Sequence, residues 1–304
     1  MNKFLKYLMM GAVAFSFTAC GDDDPEPNPA PVPGGETETT VVNPSTVFPQ
    51  GIPSRIGDMT VTKDAKGRVA KISSKSETIT FSYLGIAPKS KAVTATVPAT
   101  YDMTMSVTYA GESESYDFYL RLDNNGYVVY AYEVEKENGR VDDVDEWWFK
   151  YDANGRMTQL KRTEGDNEIT DITYDANGDI VLVKVSDDRF PTGEMQSTIS
   201  YTDALNVTPV VNKGGVMFFE TFGIDMDELE GAFYAGLLGK ATAHLPLSAI
   251  EVELDEPGYR TEYTYSWTLN AQGLPTRFQY IESDYYPDSP VPSVEPSLPC
   301  IFVW

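Results

Sequence analysis

The sequence predicts an all-β chain, an antiparallel meander curled into a barrel or strongly curved sheet, with one packed α-helix at about residues 225–245. Three observations lead there. Long stretches alternate apolar and polar residues with a period of two, a turn motif built on Asp or Asn and Gly recurs between them, and one stretch alone switches to helical spacing.

At the N-terminus Lys3 and Lys6 precede an apolar run, Tyr7 to Phe17, of eleven residues. That is too short to cross a bilayer as a helix and has the form of the apolar region of an export signal. Phe17-Thr18-Ala19-Cys20 then resembles the lipobox of bacterial lipoproteins, where cleavage leaves a diacylated cysteine as the new N-terminus. The resemblance implies that residues 1–19 are a signal peptide and that Cys20 is the site of lipid attachment. Two or three acyl chains hold a protein at a membrane where one does not, so the mature chain is expected to be anchored and not spanning. Gly21 and the run Asp22-Asp23-Asp24 resemble the signal that displays Bacteroidetes lipoproteins on the outer face of the outer membrane; a solvated acidic spacer is the plain alternative. Once Cys20 is lipidated, Cys300 is the only cysteine left, so no intramolecular disulfide is expected. With no evident base to activate it, Cys300 reads as a small buried apolar residue.

Residues 20–49 hold the lipidated cysteine and an acidic, Pro-rich tether. From Asp22 to Pro49 there are seven prolines, six acids and no base, too little apolar surface to order the segment. Such a tether reaches roughly 80 to 90 Å at about 3.1 Å per residue, enough to lift a domain clear of the headgroups. Residues 50–304 follow as a single β-barrel-like domain, long but acceptable for one all-β unit. Loss of Lys3 and Lys6 with the signal leaves 46 acids against 21 bases. That field repels phosphate backbones, so nucleic acid is not an expected partner.

The turn motif has five copies: "KDAKGR" at 63–68, "LDNNGY" at 122–127, "YDANGR" at 151–156, "YDANGD" at 174–179 and "LNAQGL" at 269–274. In each, the Asp or Asn side chain folds back onto nearby amides and Gly takes the positive φ that closes a hairpin, often with a bulge. The flanking segments alternate. Met103, Met105, Val107 and Tyr109 share a face, as do Tyr116, Phe118, Leu120 and Leu122, and again Tyr263, Tyr265, Trp267 and Leu269. Val128, Tyr130, Tyr132 and Val134 are assigned to one face on the same count, against a more mixed opposite face. Strands joined by short turns make a meander, and ten or more twisted strands tend to curl and close.

The two YD turns at 151–156 and 174–179 resemble the YD repeat of Rhs-type surface proteins. Over about residues 55–304, the lipobox, the DxxG hairpins and "YAGLLGKATAHLP" together resemble a Bacteroidetes outer-membrane lipoprotein family of the domain-of-unknown-function 4595 type. The resemblance implies a porin-like β-barrel fold and brings no catalytic residue with it.

Within 225–245, Met226, Leu229, Phe233 and Leu237 recur at helical spacing. Asp225 and Glu228 read as N-cap and capping-box partner, and Pro246 as the stop. Ala232, Ala235, Gly236 and Gly239 are small enough to let the backbone approach a sheet closely, so the helix is expected to pack over or into one end of the barrel. A membrane barrel also alternates, with its apolar side toward lipid. Here the lipid anchor and strands shorter than the nine to eleven or so residues of a tilted span favour a water-soluble body. "CIFVW" ends in an aromatic residue, and the prolines before it limit it to a short closing strand ending at Trp304.

Chemistry is sparse. One histidine excludes His-based metal triads, and no GxSxG, P-loop or CxxC pair occurs, so no catalytic residue, metal or cofactor is expected. His244 reads as a surface or helix-end residue. "VDDVDEWWFKYDANG" at 141–155 is the stretch suited to binding. Asp142, Asp143, Asp145 and Glu146 offer oxygen ligands for calcium, but without the spacing of an EF-hand they read first as a solvated acidic turn. Trp147 and Trp148 are adjacent, so on a strand one faces the core and the other solvent or a cleft. An exposed tryptophan beside Asp145 or Glu146 suits stacking on a sugar ring and hydrogen bonding to its hydroxyls. The expected function is a lipid-anchored, surface-exposed, non-enzymatic module of no assigned specific role that binds an extracellular ligand or partner, with a glycan or a protein at the cell surface as the candidate partners. A glycan-binding lipoprotein of a polysaccharide-capture system is the alternative, and a carboxylate-based glycosidase the third.

Overall fold

The computed structural model describes residues 36–38, 41–86, 100–163, 167–254, 258–289 and 291–304. The expected signal peptide, Cys20 and the tether as far as residue 35 lie outside these residues. Most of the described strands form a closed antiparallel barrel, and Glu36–Glu38 pairs separately with Leu84–Ile86. Its first wall runs β1 (Arg55–Ile56), β2 (Met59–Lys63), β3 (Val69–Ser73), β4 (Glu77–Ser82), β5 (Met103–Tyr109) and β6 (Glu114–Leu122). It continues with β7 (Val128–Glu137), β8 (Arg140–Tyr151), β9 (Met157–Arg162), β10 (Glu168–Tyr174), β11 (Ile180–Ser186) and β12 (Met195–Ser200). After a long insertion come β13 (Ser248–Glu253), β14 (Arg260–Leu269), β15 (Pro275–Tyr285), β16 (Ser293–Pro296) and β17 (Cys300–Val303). Closure is made by β17, which pairs with β15 on one side and, through Phe302 opposite Ile56, with β1 on the other. Trp304 completes that short closing strand, donating from Nε1 to the Pro275 carbonyl at 2.6 Å.

All five turns have the expected geometry, and they lie at one rim. Gly67, Gly126, Gly155, Gly178 and Gly273 have φ of 80°, 85°, 80°, 95° and 80°. Asp64, Asp123, Asp152 and Asp175 each accept the backbone N–H two residues on at 2.8 Å, and Asn270 does so at 3.0 Å. A register shift flanks each turn, with the extra residue at the start of the strand that follows, Ala70, Val129, Thr158, Val181 or Thr276, so the side-chain count slips by one.

Polarity is apolar inward and polar outward. Met103, Met105, Val107 and Tyr109 are buried while Thr104, Ser106 and Thr108 face away from the core. The interior is filled by the chain between β12 and β13, which enters and leaves through a two-residue ladder, Val210–Val211 with His244–Leu245, at the turn rim. From Val216 to Leu238 this plug is buried almost throughout and belongs to the same hydrophobic core as the barrel wall. Phe218 stacks on Phe278 with centroids 5.0 Å apart and also meets Phe302, at 5.9 Å. Tyr265 donates its hydroxyl to the Thr221 carbonyl, and Tyr234 to that of Met217. Burying side chains of this size stabilises by roughly 1.5–3 kcal/mol each, so the plug holds the barrel as much as the barrel holds the plug.

The helix is much shorter than 225–245. A 3₁₀ turn at Asp227–Glu230 leads into α1, Gly231–Tyr234, and the helix stops at Ala235, far before Pro246. Gly236 and Gly239, both at φ 80°, break it. Asp225 accepts from the Asp227 amide, and no capping box forms, because Glu228 is buried and accepts the Tyr109 hydroxyl at 3.0 Å. The expected close approach is present: a Cβ on Gly236 would lie 2.9 Å from Pro44 Cα, and one on Gly239 2.7 Å from the Gly155 carbonyl oxygen.

Two further expectations are corrected. Residues 41–49 do not extend the tether: Val42, Val47 and Phe48 are buried, with Phe48 against Phe233 and Tyr234. Apolar side chains spaced among the prolines suffice to dock this stretch over the turn rim. Val128, Tyr130, Tyr132 and Val134 do not share a face: the bulge after Val128 leaves Val128, Ala131 and Glu133 inward and turns Tyr130, Tyr132 and Val134 outward.

Candidate functional site

On β8 the adjacent tryptophans separate as strand geometry requires. Trp147 is 1% exposed and Trp148 37%. Inside, Trp147 Nε1 donates to Glu133 Oε2 at 2.7 Å, the indole stacks parallel to Phe149, and the Arg162 guanidinium lies 5.5 Å from its ring centre. Asp145 pairs in register with Glu133 and shares that inner face. Trp147 is therefore a core side chain and Asp145 a half-buried one on the same inner face, and Trp148 and Glu146 are the pair that faces out.

Outside, cross-strand register places Arg121 of β6, Tyr130 of β7, Trp148 of β8 and Lys161 of β9 in one row. Tyr130 and Trp148 meet with centroids 5.8 Å apart, Arg121 lies 5.8 Å from the Tyr130 ring centre, and Lys161 Nζ lies 5.4 Å from that of Trp148. Glu146 accepts the Tyr130 hydroxyl at 2.8 Å and fixes that ring. A second aromatic row, Tyr101, Tyr119 and Tyr132, runs beside the first, with centroids 5.0 and 6.5 Å apart.

The rim opposite the turns is acidic. Inward positions that are apolar at mid-barrel give way there to Glu77, Glu133, Arg162, Glu168, Glu251 and Glu282, and the apex of the plug adds Glu220, Asp225, Asp227, Glu228 and Glu230. Arg162 clamps the two together, 2.5 Å from Asp227, 3.2 Å from Glu168 and 3.5 Å from Asp225. A cavity of about 380 Å³ opens here, with Tyr263, Tyr280, Met195 and Ile224 among its walls. Burial, reinforced by Glu253 and Glu282, pushes Glu251 up to about 7. Burial also raises Glu282 and Glu168, the latter against the pull of Arg162. Deeper in, burial carries Glu77 up to about 8, with Glu228 and Asp58 adding to it, and holds Glu133 and Glu230 well above the usual carboxylate range.

Asp142 and Asp143 stand exposed on β8, and among the described residues no group of three His, Cys, Asp or Glu side chains converges to hold a metal ion. His244 is a partner of the fourth turn rather than a helix end: its amide and Nδ1 meet the two oxygens of Asp179 at 2.8 and 2.7 Å. Cys300 is buried in the closing strand, and burial pushes its thiol up, away from the reactive thiolate. Sequence reasoning missed Arg121, Tyr130 and Lys161 as neighbours of Trp148. The signal was present in the turn at 122–127, whose bulge reverses the faces of β7.

Residues 61–277 match a family described as a domain of unknown function (DUF4595) with porin-like fold. Among solved structures, a porin-like protein from Bacteroides uniformis aligns with a TM-score of 0.53 at 13% identity, over 81% of this chain and 88% of its own. A porin-like protein from Bacteroides vulgatus aligns with a TM-score of 0.46 at 9% identity, over 81% and 92%. The first likeness supports the barrel fold alone. No curated protein matches this chain.

Proposed function

The chain belongs to the DUF4595 family of domains of unknown function with a porin-like fold, and from that premise we propose that it is a plugged, water-facing barrel that binds an extracellular ligand and conducts nothing. It is carried on the outer membrane, facing outward, by lipid on Cys20, and it has no enzymatic activity. One observation carries this reading: the barrel is apolar inside, polar outside and filled by its own residues 216–238. A membrane-spanning pore needs the reverse, an apolar belt toward lipid and a wet lumen.

Metabolic labelling with palmitate tests the anchor. Label is expected in the wild-type product and absent from Cys20→Ala, which leaves the membrane fraction; a Cys20→Ala protein that stays there overturns the placement. Protease shaving of intact cells tests display, with cleavage expected and protection contradicting it. A second reading, a glycan-binding lipoprotein of a polysaccharide-capture system, is favoured by Trp148, which stands out from the wall beside Glu146 and Tyr130.

A further inference from the structure

Along most of the barrel the outward positions are Thr, Ser and charged residues, as water demands. The row Arg121, Tyr130, Trp148, Lys161 departs from this, two aromatic rings side by side with one cation at each end. Neither Arg121 nor Lys161 has a carboxylate partner among the described residues. Elsewhere on the barrel Arg68 pairs with Asp64, Arg156 with Asp152, Arg189 with Asp187 and Lys136 with Asp117. Lys150, next along β8 on the same outer face, also lacks a carboxylate partner among the described residues. Two cations without a carboxylate partner, flanking the exposed Trp148 and the half-buried Tyr130, make the pattern.

We propose that this outer-wall row is a binding site for an acidic polysaccharide, the apolar faces of its pyranose rings stacking on Trp148 and Tyr130 and its carboxylates meeting Arg121 and Lys161. The assignment rests on the glycan reading above and narrows it. Three inter-strand steps of about 4.8 Å set the two cations roughly 14 Å apart at the backbone, a spacing that suits carboxylates carried on separate sugars. Ring faces favour stacking on the C–H side of a sugar, and each cation adds charge-assisted hydrogen bonds. Glu146, engaged by the Tyr130 hydroxyl, orients the ring and leaves its second oxygen for a sugar hydroxyl. The acidic cavity lies on the inner side of the wall, on the opposite face from the outer row. A nucleic acid offers stacking and anions too, but with charge packed far more densely than two isolated cations can balance.

The test uses the mature lipoprotein in mild detergent, titrated with polygalacturonate, dextran and single-stranded DNA. Binding of polygalacturonate that weakens with salt, with dextran and DNA much weaker, is expected. Trp148→Ala should weaken it about ten-fold or more, Trp148→Phe less, and Arg121→Gln with Lys161→Gln should abolish the salt dependence. Unchanged near-ultraviolet circular dichroism shows that each variant is folded; should Trp148→Ala fail to fold, Trp148→Phe and the two Gln variants decide alone. Equal binding of dextran overturns the acidic class, tighter binding of DNA overturns the ligand, and wild-type affinity in the variants overturns the site. No binding by the parent to any of the three overturns the inference, while palmitate labelling still judges the anchored-barrel reading separately.

Discussion

Glu77 is 2% exposed at the acidic rim, and neither of its oxygens has a hydrogen-bond partner among the described residues. Its carboxyl folds with a proton bound, so its contribution has a definite sign. In the unfolded chain it ionises near 4.5, in the folded chain near 8. Between those values the unfolded state is favoured by about 1.4 kcal/mol per pH unit, and stability therefore falls as pH rises. Over that window the loss is on the order of 5 kcal/mol. Denaturant titrations across the same window should show a steep decline for the wild type, and Glu77→Gln should reduce the slope by one proton. An unchanged slope would assign the effect to Glu133 or Glu230 instead. Glycine makes a second test at the same scale. Gly67 and Gly155 share a φ of 80°, but a Cβ on Gly67 meets nothing, whereas one on Gly155 would lie 2.9 Å from the Tyr127 ring. Gly67→Ala should cost about 1 kcal/mol of backbone strain, and Gly155→Ala clearly more, measured as the shift in denaturation midpoint.

The elements differ in how much of them the sequence revealed. The DxxG hairpins were fully legible, because an Asx turn is made of four neighbouring residues and needs nothing else. The separation of Trp147 from Trp148 was legible for the same reason. The outer row was not: counting by twos through Val128, Tyr130 and Tyr132 crosses a bulge, and one extra residue exchanges the faces. Nor was the plug. Its helical spacing at Met226, Leu229, Phe233 and Leu237 is real, but its residues are buried on every side, so the stripe marks no exposed face, and the glycines that stop the helix were read only as small residues for close packing. The plug's weight can be measured. Phe218→Ala, which opens a gap between Phe278, Phe302 and Tyr234, should destabilise by about 3–5 kcal/mol. Arg162→Met leaves Asp225, Asp227 and Glu168 without their shared cation and should cost about as much. A loss below about 1 kcal/mol in both would mean that the plug is not integral to the core.

At the scale of the whole molecule, shape and polarity point to different environments. The outline is that of a porin, and the first aligned structure shares it. The distribution of side chains is that of a soluble protein, with Phe118, Phe149, Leu160 and Val183 turned inward toward the plug. The formal charge of −23 suits a body that stays in water. No described helix is long and apolar enough to cross a membrane, which bears on helices only. The arrangement follows from an apolar insertion between β12 and β13: once residues 216–238 occupy the lumen, the inner faces must be apolar to meet them and the outer faces are left to water. The most direct measurement is flotation with lipid vesicles of the chain from residue 41 onward, purified without detergent. The expected result is a monodisperse protein with native near-ultraviolet circular dichroism that stays entirely in the aqueous fraction; a protein that floats with the vesicles, or needs detergent to remain in solution, would contradict it.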